Sequence, residues 1–261
     1  MIHLKSPQEI KIMKESGQIL SAVLRDVLSK AAVGVTLLDL DLGAEKEIIK
    51  RGGEPSFKKV KGYHWTLCTC LNEAVVHGIP NDYVIRDGDV VGIDCGVYYK
   101  GYHSDAAWTV KIGQKGNGEV DRFLKTGQRA LEQAISKVKI GNYIWDISKE
   151  IEDVVEGAGY SVVQTLVGHG VGKKLHEDPA VPGFVGQKRE KTPKICEGMV
   201  LAVEVIYNMG SPEVIYRGND GWTIVTKDGK ISGLFEATVA ATIHGGLVLT
   251  PSPSLAQGVK N

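Results

Sequence analysis

The chain has 261 residues, enough for one large domain or two smaller ones. Its 24% charged and 43% hydrophobic residues are ordinary for a soluble globular enzyme, and 31 basic side chains against 31 acidic ones leave no net charge to favour nucleic acid or a membrane surface. No apolar run approaches the ~20 residues of a membrane helix, and the N-terminal MIHLKSPQEIKIMKESG lacks the basic-then-apolar pattern of a secretion signal, so the chain reads as cytoplasmic.

Ser6-Pro7-Gln8-Glu9 announces the first helix: an N-cap serine, a proline at the first helical position and a glutamate at the third. Apolar residues then recur at Ile10, Met13, Leu20, Val23, Leu24 and Val27, with Gly17 in register, as one helical stripe. A second helix is predicted from about Leu38 to Lys50, stopping at Gly52-Gly53. Strands are predicted at Thr66–Leu71, Val90–Val97 and Asp105–Ile112, and a basic, glycine-containing turn around Lys115–Gly118 ends this half. The order then recurs. Helices are predicted at about Glu119–Lys139 and Trp145–Glu156, and strands near Val200–Tyr207, Gly221–Thr226 and Ala237–Ile243.

The offsets between halves carry information. Gly34 lies five residues before Asp39, and Gly141 five before Asp146; Gly88 lies six before Asp94, and Gly198 six before Glu204. Two helix–helix–strand–hairpin units offset by about 107 to 110 residues imply an old duplication, with pseudo-repeats of about 1–113 and 114–250 related by a pseudo-two-fold and their sheets side by side. Neither half can bury its sheet alone, so 1–250 is expected to form a single domain, with 251–261 as a C-terminal tail.

The segment GIDCGVYYKGYHSDAA places Asp94 and Asp105 in or beside an apolar strand. A hairpin turning at Tyr99-Lys100 or Lys100-Gly101 puts both carboxylates on one face, directly opposite or diagonal. Two carboxylates that close repel, or one takes up a proton, and a divalent cation resolves the conflict; the plain alternative is that both are exposed at the hairpin mouth. Glu204, at the position equivalent to Asp94, lies among Leu201, Val203, Val205 and Ile206, and Glu236 is expected to begin the last strand. If the repeat holds, four carboxylates meet across the pseudo-axis, a donor set suited to two divalent ions such as Mn, Fe, Co or Mg. An imidazole would favour a transition metal. His169 is framed by Gly168 and Gly170 in what reads as a loop, His176 follows in LHEDP, and His77, at the end of an apolar stretch in NEAVVHGIP, is the first half's counterpart. His3 and His64 are expected at the surface, His103 in the hairpin turn and His244 at the end of the last strand.

Other chemistries lack their signatures. GHGVGKK has neither the spacing nor the Ser/Thr of a phosphate-binding loop, HEDPA lacks the second histidine of a two-histidine zinc helix, and no G-x-S-x-G elbow occurs. Cys68, Cys70, Cys95 and Cys196 include no C-x-x-C pair, and a Cys68–Cys70 disulfide would be strained, so free and mostly buried thiols are expected.

Asp94, Asp105, His169, Glu204 and Glu236, together with NEAVVHGIP, IDCGVYYKGYHSDAA, GHGVG…LHEDP and EGMVLAVE, resemble the metal-binding set and motifs of the type I methionine aminopeptidases over nearly the whole chain. The ligand order is that of the wider pita-bread metallopeptidases; the His-Gly-Ile-Pro segment and the compact length resemble the short bacterial branch, without the zinc-binding extension of eukaryotic enzymes. The resemblance implies an α+β pita-bread (creatinase/aminopeptidase) fold, its antiparallel sheets covered by helices. It implies two divalent metal ions (Co, Mn, Fe or similar), with Asp94 on one, His169 and Glu204 on the other, and Asp105 and Glu236 bridging. A bridging water would be the nucleophile, Glu204 the proton shuttle, His176 the partner of the scissile carbonyl and His77 a contact to the amide nitrogen of the second substrate residue. By family position Tyr63, Cys68, Leu175 and Trp222 would line the methionine pocket, although Tyr63 and Trp222 also read as ordinary core aromatics. The implied substrates are nascent or short peptides with a free N-terminal methionine and a small second residue. The implied state is a monomer. A transient ribosome contact is sensible but no basic patch marks it, and neither nucleic-acid specificity nor membrane association is implied.

The chain departs from the pattern at Ala237, often histidine in the family, at Cys95, where an aliphatic residue is commoner, and at Val60 and Leu175, where aromatics are frequent. These bear on pocket shape, metal affinity and turnover. Two other readings stay open on sequence: a proline-directed aminopeptidase or prolidase, which usually carries an additional N-terminal domain, and a catalytically inactive pita-bread binding module, whose mark would be a missing ligand.

Overall fold

Ser6 accepts a hydrogen bond from the Glu9 amide, and the Glu9 carboxylate accepts one from the Ser6 amide, so α1 (Pro7–Lys30) starts where its capping pattern puts it. The computed structural model describes residues 1–113 and 118–253. In the first half, α2 (Leu37–Lys50) follows α1, then β1 (Glu54–Pro55), a 3-10 turn at Phe57–Lys59, β2 (Leu67–Leu71), β3 (Ala74–Val76), β4 (Val90–Tyr99) and β5 (Tyr102–Lys111). The second half brings α3 (Gly118–Ser136), α4 (Ile144–Gly157), β6 (Ser161–Val162), β7 (Val167–Gly170), β8 (Glu177–Pro182) and β9 (Val200–Asn208). It closes with β10 (Val214–Tyr216), β11 (Ile224–Thr226), β12 (Ser232–Thr242) and β13 (Gly245–Val248).

Among the described residues, β4 is flanked by β5 on one side and by β1 and β2 on the other, in a four-stranded antiparallel sheet. A six-stranded sheet runs β13-β12-β9-β7-β8, with β6 also on β9, and a small third sheet joins β10, β11 and β3. The two large sheets meet along β5 and β12, where threonine side chains replace a backbone ladder. Thr109 Oγ1 donates to the Leu234 carbonyl at 2.8 Å and accepts from the Leu234 amide at 3.0 Å. Thr238 Oγ1 likewise donates to the Asp105 carbonyl at 2.7 Å and accepts from the Asp105 amide at 3.0 Å. β5 and β12 are thereby held in one register across the seam.

Helices pack on these sheets, α1 against β4 and β5, and α3 against β9 and β12. The predicted stripe of α1 is its buried face: Met13, Leu20, Val23, Leu24 and Val27 are all at most 3% exposed, worth about 1.5–3 kcal/mol each. Backbone bonds at corresponding positions of the two halves are alike. The Gly34 amide donates to Ile85 and the Ile85 amide to Val35; the Gly141 amide donates to Ile195 and the Ile195 amide to Asn142. The Gly88 amide donates to Ile112, and the Gly198 amide to Ala241.

Several boundaries differ from expectation. α3 ends at Ser136 rather than Lys139, because Lys137 and Val138 turn through bonds to Ala134 and Ile135. The strand expected from Gly221 begins at Ile224. β12 begins at Ser232, not Ala237, so Glu236 lies mid-strand. Gly233 weakens the strand signal there, but its bare backbone packs under the rings of Tyr207 and Phe123. The turn expected around Lys115–Gly118 lies, apart from Gly118, outside the described residues, as does the tail from 254 onward; Ser252 is still buried. No helix among the described residues is long and apolar enough to cross a membrane.

Candidate metal centre

The β4–β5 hairpin turns at Lys100-Gly101, both with positive φ (48° and 92°), and pairs Tyr99 with Tyr102. Of the two registers predicted, this one sets Asp94 opposite Ala107 and Asp105 opposite Gly96, so the carboxylates are diagonal neighbours on one face. Across the seam, Glu204 of β9 and Glu236 of β12 are directly paired. His169 comes from β7, opposite Ala202 of β9. It is a strand residue rather than the loop residue expected, and its glycine frame has a steric origin. A Cβ at Gly168 would lie 2.4 Å from the Ala202 carbonyl oxygen, and one at Gly170 would lie 2.2 Å from that of Asp178.

Ligand atoms of Asp105, His169 and Glu236 fall within 4.8 Å of one another. His169 Nε2 is 3.6 Å from Glu204 Oε1 and 4.0 Å from Asp105 Oδ2. His169 Nδ1 lies 2.8 Å from the Gly170 carbonyl oxygen; donation there keeps the proton on Nδ1 and leaves the Nε2 lone pair facing the carboxylates. Burial and then His176 lower the His169 pKa to about 4, so the ring is neutral at pH 7. Asp94 lines the same cavity as these four.

The carboxylates are under electrostatic stress. Burial raises Asp94 to about 7. Burial first, then neighbouring carboxylates, raises Asp105, Glu204 and Glu236 well above their ordinary range. Asp94 Oδ1, Asp105 Oδ1 and Glu236 Oε1 are buried without a hydrogen-bond partner, each at a desolvation cost of order 1–3 kcal/mol. Four convergent carboxylates, three of them with an orphaned oxygen, and one unprotonated imidazole nitrogen fit divalent cations. The alternative of solvent-exposed aspartates is excluded for Asp105, which is 4% exposed.

Beside this cluster is a cavity of about 130 Å³ whose walls include Phe57, Val60, Tyr63, Cys68, Leu175 and Trp222. Cys68 of β2 is the register partner of Asp94, which ties the pocket wall to the metal face. Tyr63 donates its hydroxyl to the Leu67 carbonyl at 2.7 Å and meets Trp222 edge-on at 5.1 Å. Tyr63, Cys68, Leu175 and Trp222 are thus brought together around one cavity. Phe57 and Val76 complete the lining and were missed; Phe57 sits in the lysine-rich SFKKV, which has no periodicity to mark it. Three of the cysteines are buried, Cys196 is exposed, and all four are free.

His77 and His176 flank the cavity. The ring of His176 is 4.5 Å from that of His169, and His77 stands edge-on to Trp222 at 6.4 Å. Burial lowers the pKa of both, with His176 adding to the effect on His77. His77 adopts φ 56°, strained for a non-glycine residue, which its sequence context does not reveal. His3 and His64 are exposed as expected, whereas His244 does not end the last strand: it is exposed in the turn between β12, which stops at Thr242, and β13. His103 is not in the turn: it lies in β5, 6% exposed, with Nδ1 2.6 Å from Ser56 Oγ.

A family model described as Metallopeptidase family M24 matches residues 11–243. A methionine aminopeptidase of Clostridium perfringens is 44% identical over 250 residues, covering 96% of this chain and 99% of that protein. The crystal structure of a methionine aminopeptidase from Thermotoga maritima superposes with TM-score 0.92 at 35% identity, covering 97% of this chain and all of that one (100%). A prolidase from Pyrococcus furiosus superposes with TM-score 0.77 at 21% identity, covering 95% of this chain and 65% of that one, a likeness of fold alone. The same pita-bread arrangement of helices over antiparallel sheets is therefore shared by both groups.

Proposed function

Because this chain belongs to metallopeptidase family M24 and, within it, to the methionine aminopeptidases, we propose that it removes the initiator methionine from peptides with a free N-terminus. Asp94, Asp105, His169, Glu204 and Glu236 would hold two divalent ions for this reaction. The observation that carries this reading is the junction of a stressed carboxylate–imidazole cluster with a small apolar cavity lined by the same side chains. Asp94 would hold one ion, His169 and Glu204 the other, and Asp105 and Glu236 both. Bound there, the ions would supply positive charge at the scissile bond and a water ionised near neutral pH.

The remaining steps fall to side chains. Phe57, Tyr63 and Trp222 offer ring edges and faces to an unbranched thioether, and Cys68 and Leu175 fill the rest of the wall. Glu204 takes the proton of the attacking water and passes it to the departing amine. His176, the more exposed of the two flanking imidazoles, donates to the carbonyl oxygen as it becomes an oxyanion. His77 contacts the amide nitrogen of the second residue. The free α-amino group binds beside Asp94, which restricts cleavage to the first residue. A small second residue is preferred. One imidazole and four carboxylates accept Co, Mn or Fe. The protein acts in the cytoplasm as a monomer, on nascent or short peptides.

The test is release of free amino acid from Met-Ala-Ser and Ala-Pro-Ser by chelated protein, with and without added Mn or Co, alongside Glu204→Gln. Metal-dependent release of methionine alone, lost in the variant, is the expected result. Alanine release from Ala-Pro-Ser would replace this reading with a proline-directed enzyme, and no release with any metal would leave a binding scaffold.

A further inference from the structure

Lys5 and Glu177 form an ion pair at 2.7 Å, with side chains only 5% and 6% exposed, 172 residues apart in sequence. Buried pairs of this kind cost desolvation on both sides and are weak evidence for stability alone. Their surroundings here have a local logic. Glu177 directly follows His176. One carboxylate oxygen of Glu177 takes the Lys5 ammonium, and the other accepts the Lys174 amide at 3.1 Å. The same loop is held from the other side, where the His103 amide donates to the Gly172 carbonyl at 2.7 Å. Gly172 leaves room for the pair, since a Cβ there would lie 2.6 Å from Lys5 Cε and 2.7 Å from Glu177 Oε1.

Lys5 is itself fixed before it reaches the loop. Its amide donates to the Gly198 carbonyl at 2.7 Å, on the turn that leads into β9 and Glu204. Met1 adds a second tether, its ammonium 2.5 Å from Asp178. The segment before α1 therefore clamps loop 171–176, which presents Leu175 to the pocket and His176 to the cluster. Neither Lys5 nor Glu177 lines the apolar cavity of about 130 Å³, although both border the wider cleft on the other side of His169 and His176.

We propose that Lys5 is a positioning residue for peptide hydrolysis: through Glu177 it fixes loop 171–176 and so sets His176 against the scissile carbonyl. This deepens the reading above and rests on the role given there to His176. Misplacing a transition-state donor by about 1 Å can cost about 100-fold in rate while ground-state binding survives.

The experiment compares metal-saturated wild type, Lys5→Met, His176→Ala and the double variant on Met-Ala-Ser, with bound metal and thermal midpoint measured for each. Lys5→Met is expected to lower kcat about 10- to 100-fold, with KM within about twofold and metal content unchanged. In the His176→Ala background the same change should cost less than about twofold, because the group being positioned is gone. Unchanged kcat at a lower melting temperature, or losses that multiply in the double variant, would overturn the proposal and leave the pair a stabilising contact. Wild-type kcat in His176→Ala would overturn the role of His176 and this inference with it. Should Lys5→Met not fold, Glu177→Gln, which keeps an acceptor for the Lys174 amide, carries the same comparison.

Discussion

Removing one charge from the carboxylate cluster should stabilise the ion-free protein while abolishing its response to metal. Asp94 titrates near 7 in the fold against its usual 3.8, chiefly through burial. At about 1.4 kcal/mol per pH unit, that corresponds to roughly 4 kcal/mol of destabilisation once the carboxylate is fully ionised. The sign follows from proton binding. Between pH 4 and 7 folded Asp94 holds a proton that the unfolded chain has released, so its contribution to stability falls as pH rises through this window and levels off above it. Asp94→Asn removes the titration and keeps an acceptor oxygen. In urea unfolding with chelator at pH 8, the variant should be more stable than wild type by about 2–4 kcal/mol, part of the full figure being absorbed by relaxation. The difference should shrink towards zero near pH 4. With saturating Mn or Co the order should reverse, because wild type gains binding free energy that the variant forfeits. An ion-free variant no more stable than wild type at pH 8, or a gain indifferent to pH, would refute the argument that these carboxylates are held together against their electrostatics.

Gly170→Ala drives a methyl group into the Asp178 carbonyl oxygen, 2.2 Å away; it should lower stability by about 1–3 kcal/mol and weaken metal binding by displacing His169, as read by thermal unfolding and metal titration. Trp222→Ala opens one wall of the pocket and should raise KM for Met-Ala-Ser about tenfold or more, with metal content unchanged. Thr238→Val keeps the side-chain shape but leaves both the amide and the carbonyl of Asp105 without their partner; a loss of about 1–3 kcal/mol in chelator, and weaker metal binding, should appear in urea titrations.

Much of the fold can be read along the chain because its signals are local. The α1 capping box is written within four residues, the apolar stripe of that helix repeats with its own period, and the Lys100-Gly101 turn needs only its two residues to reverse the chain. The matched glycine offsets were legible because a left-handed turn residue leaves the same mark in each half. Five candidate ligands were legible because carboxylates among Val, Leu and Ile have no apolar explanation, and because their order resembles a known family. Other features have no local signature. Whether Asp94 and Asp105 stand opposite or diagonal depended on which of two turns the hairpin adopts. His169 read as a loop residue because Gly168 and Gly170 are poor strand formers; only the neighbouring β9 and β8 backbones explain why glycine is required there. Glu236 reads as a strand end because Gly233 weakens the signal of the first residues of β12, and only the Phe123 and Tyr207 rings of α3 and β9 explain why glycine stands there. Phe57, Val76 and the Lys5–Glu177 pair were invisible, since each acquires its meaning from a contact made far away in sequence. Residue types and their order along the chain mark which side chains could do chemistry and roughly which elements carry them. Tertiary structure alone decided which of those residues meet, because distances across a seam between two sheets are set by packing and register rather than by any neighbour along the chain.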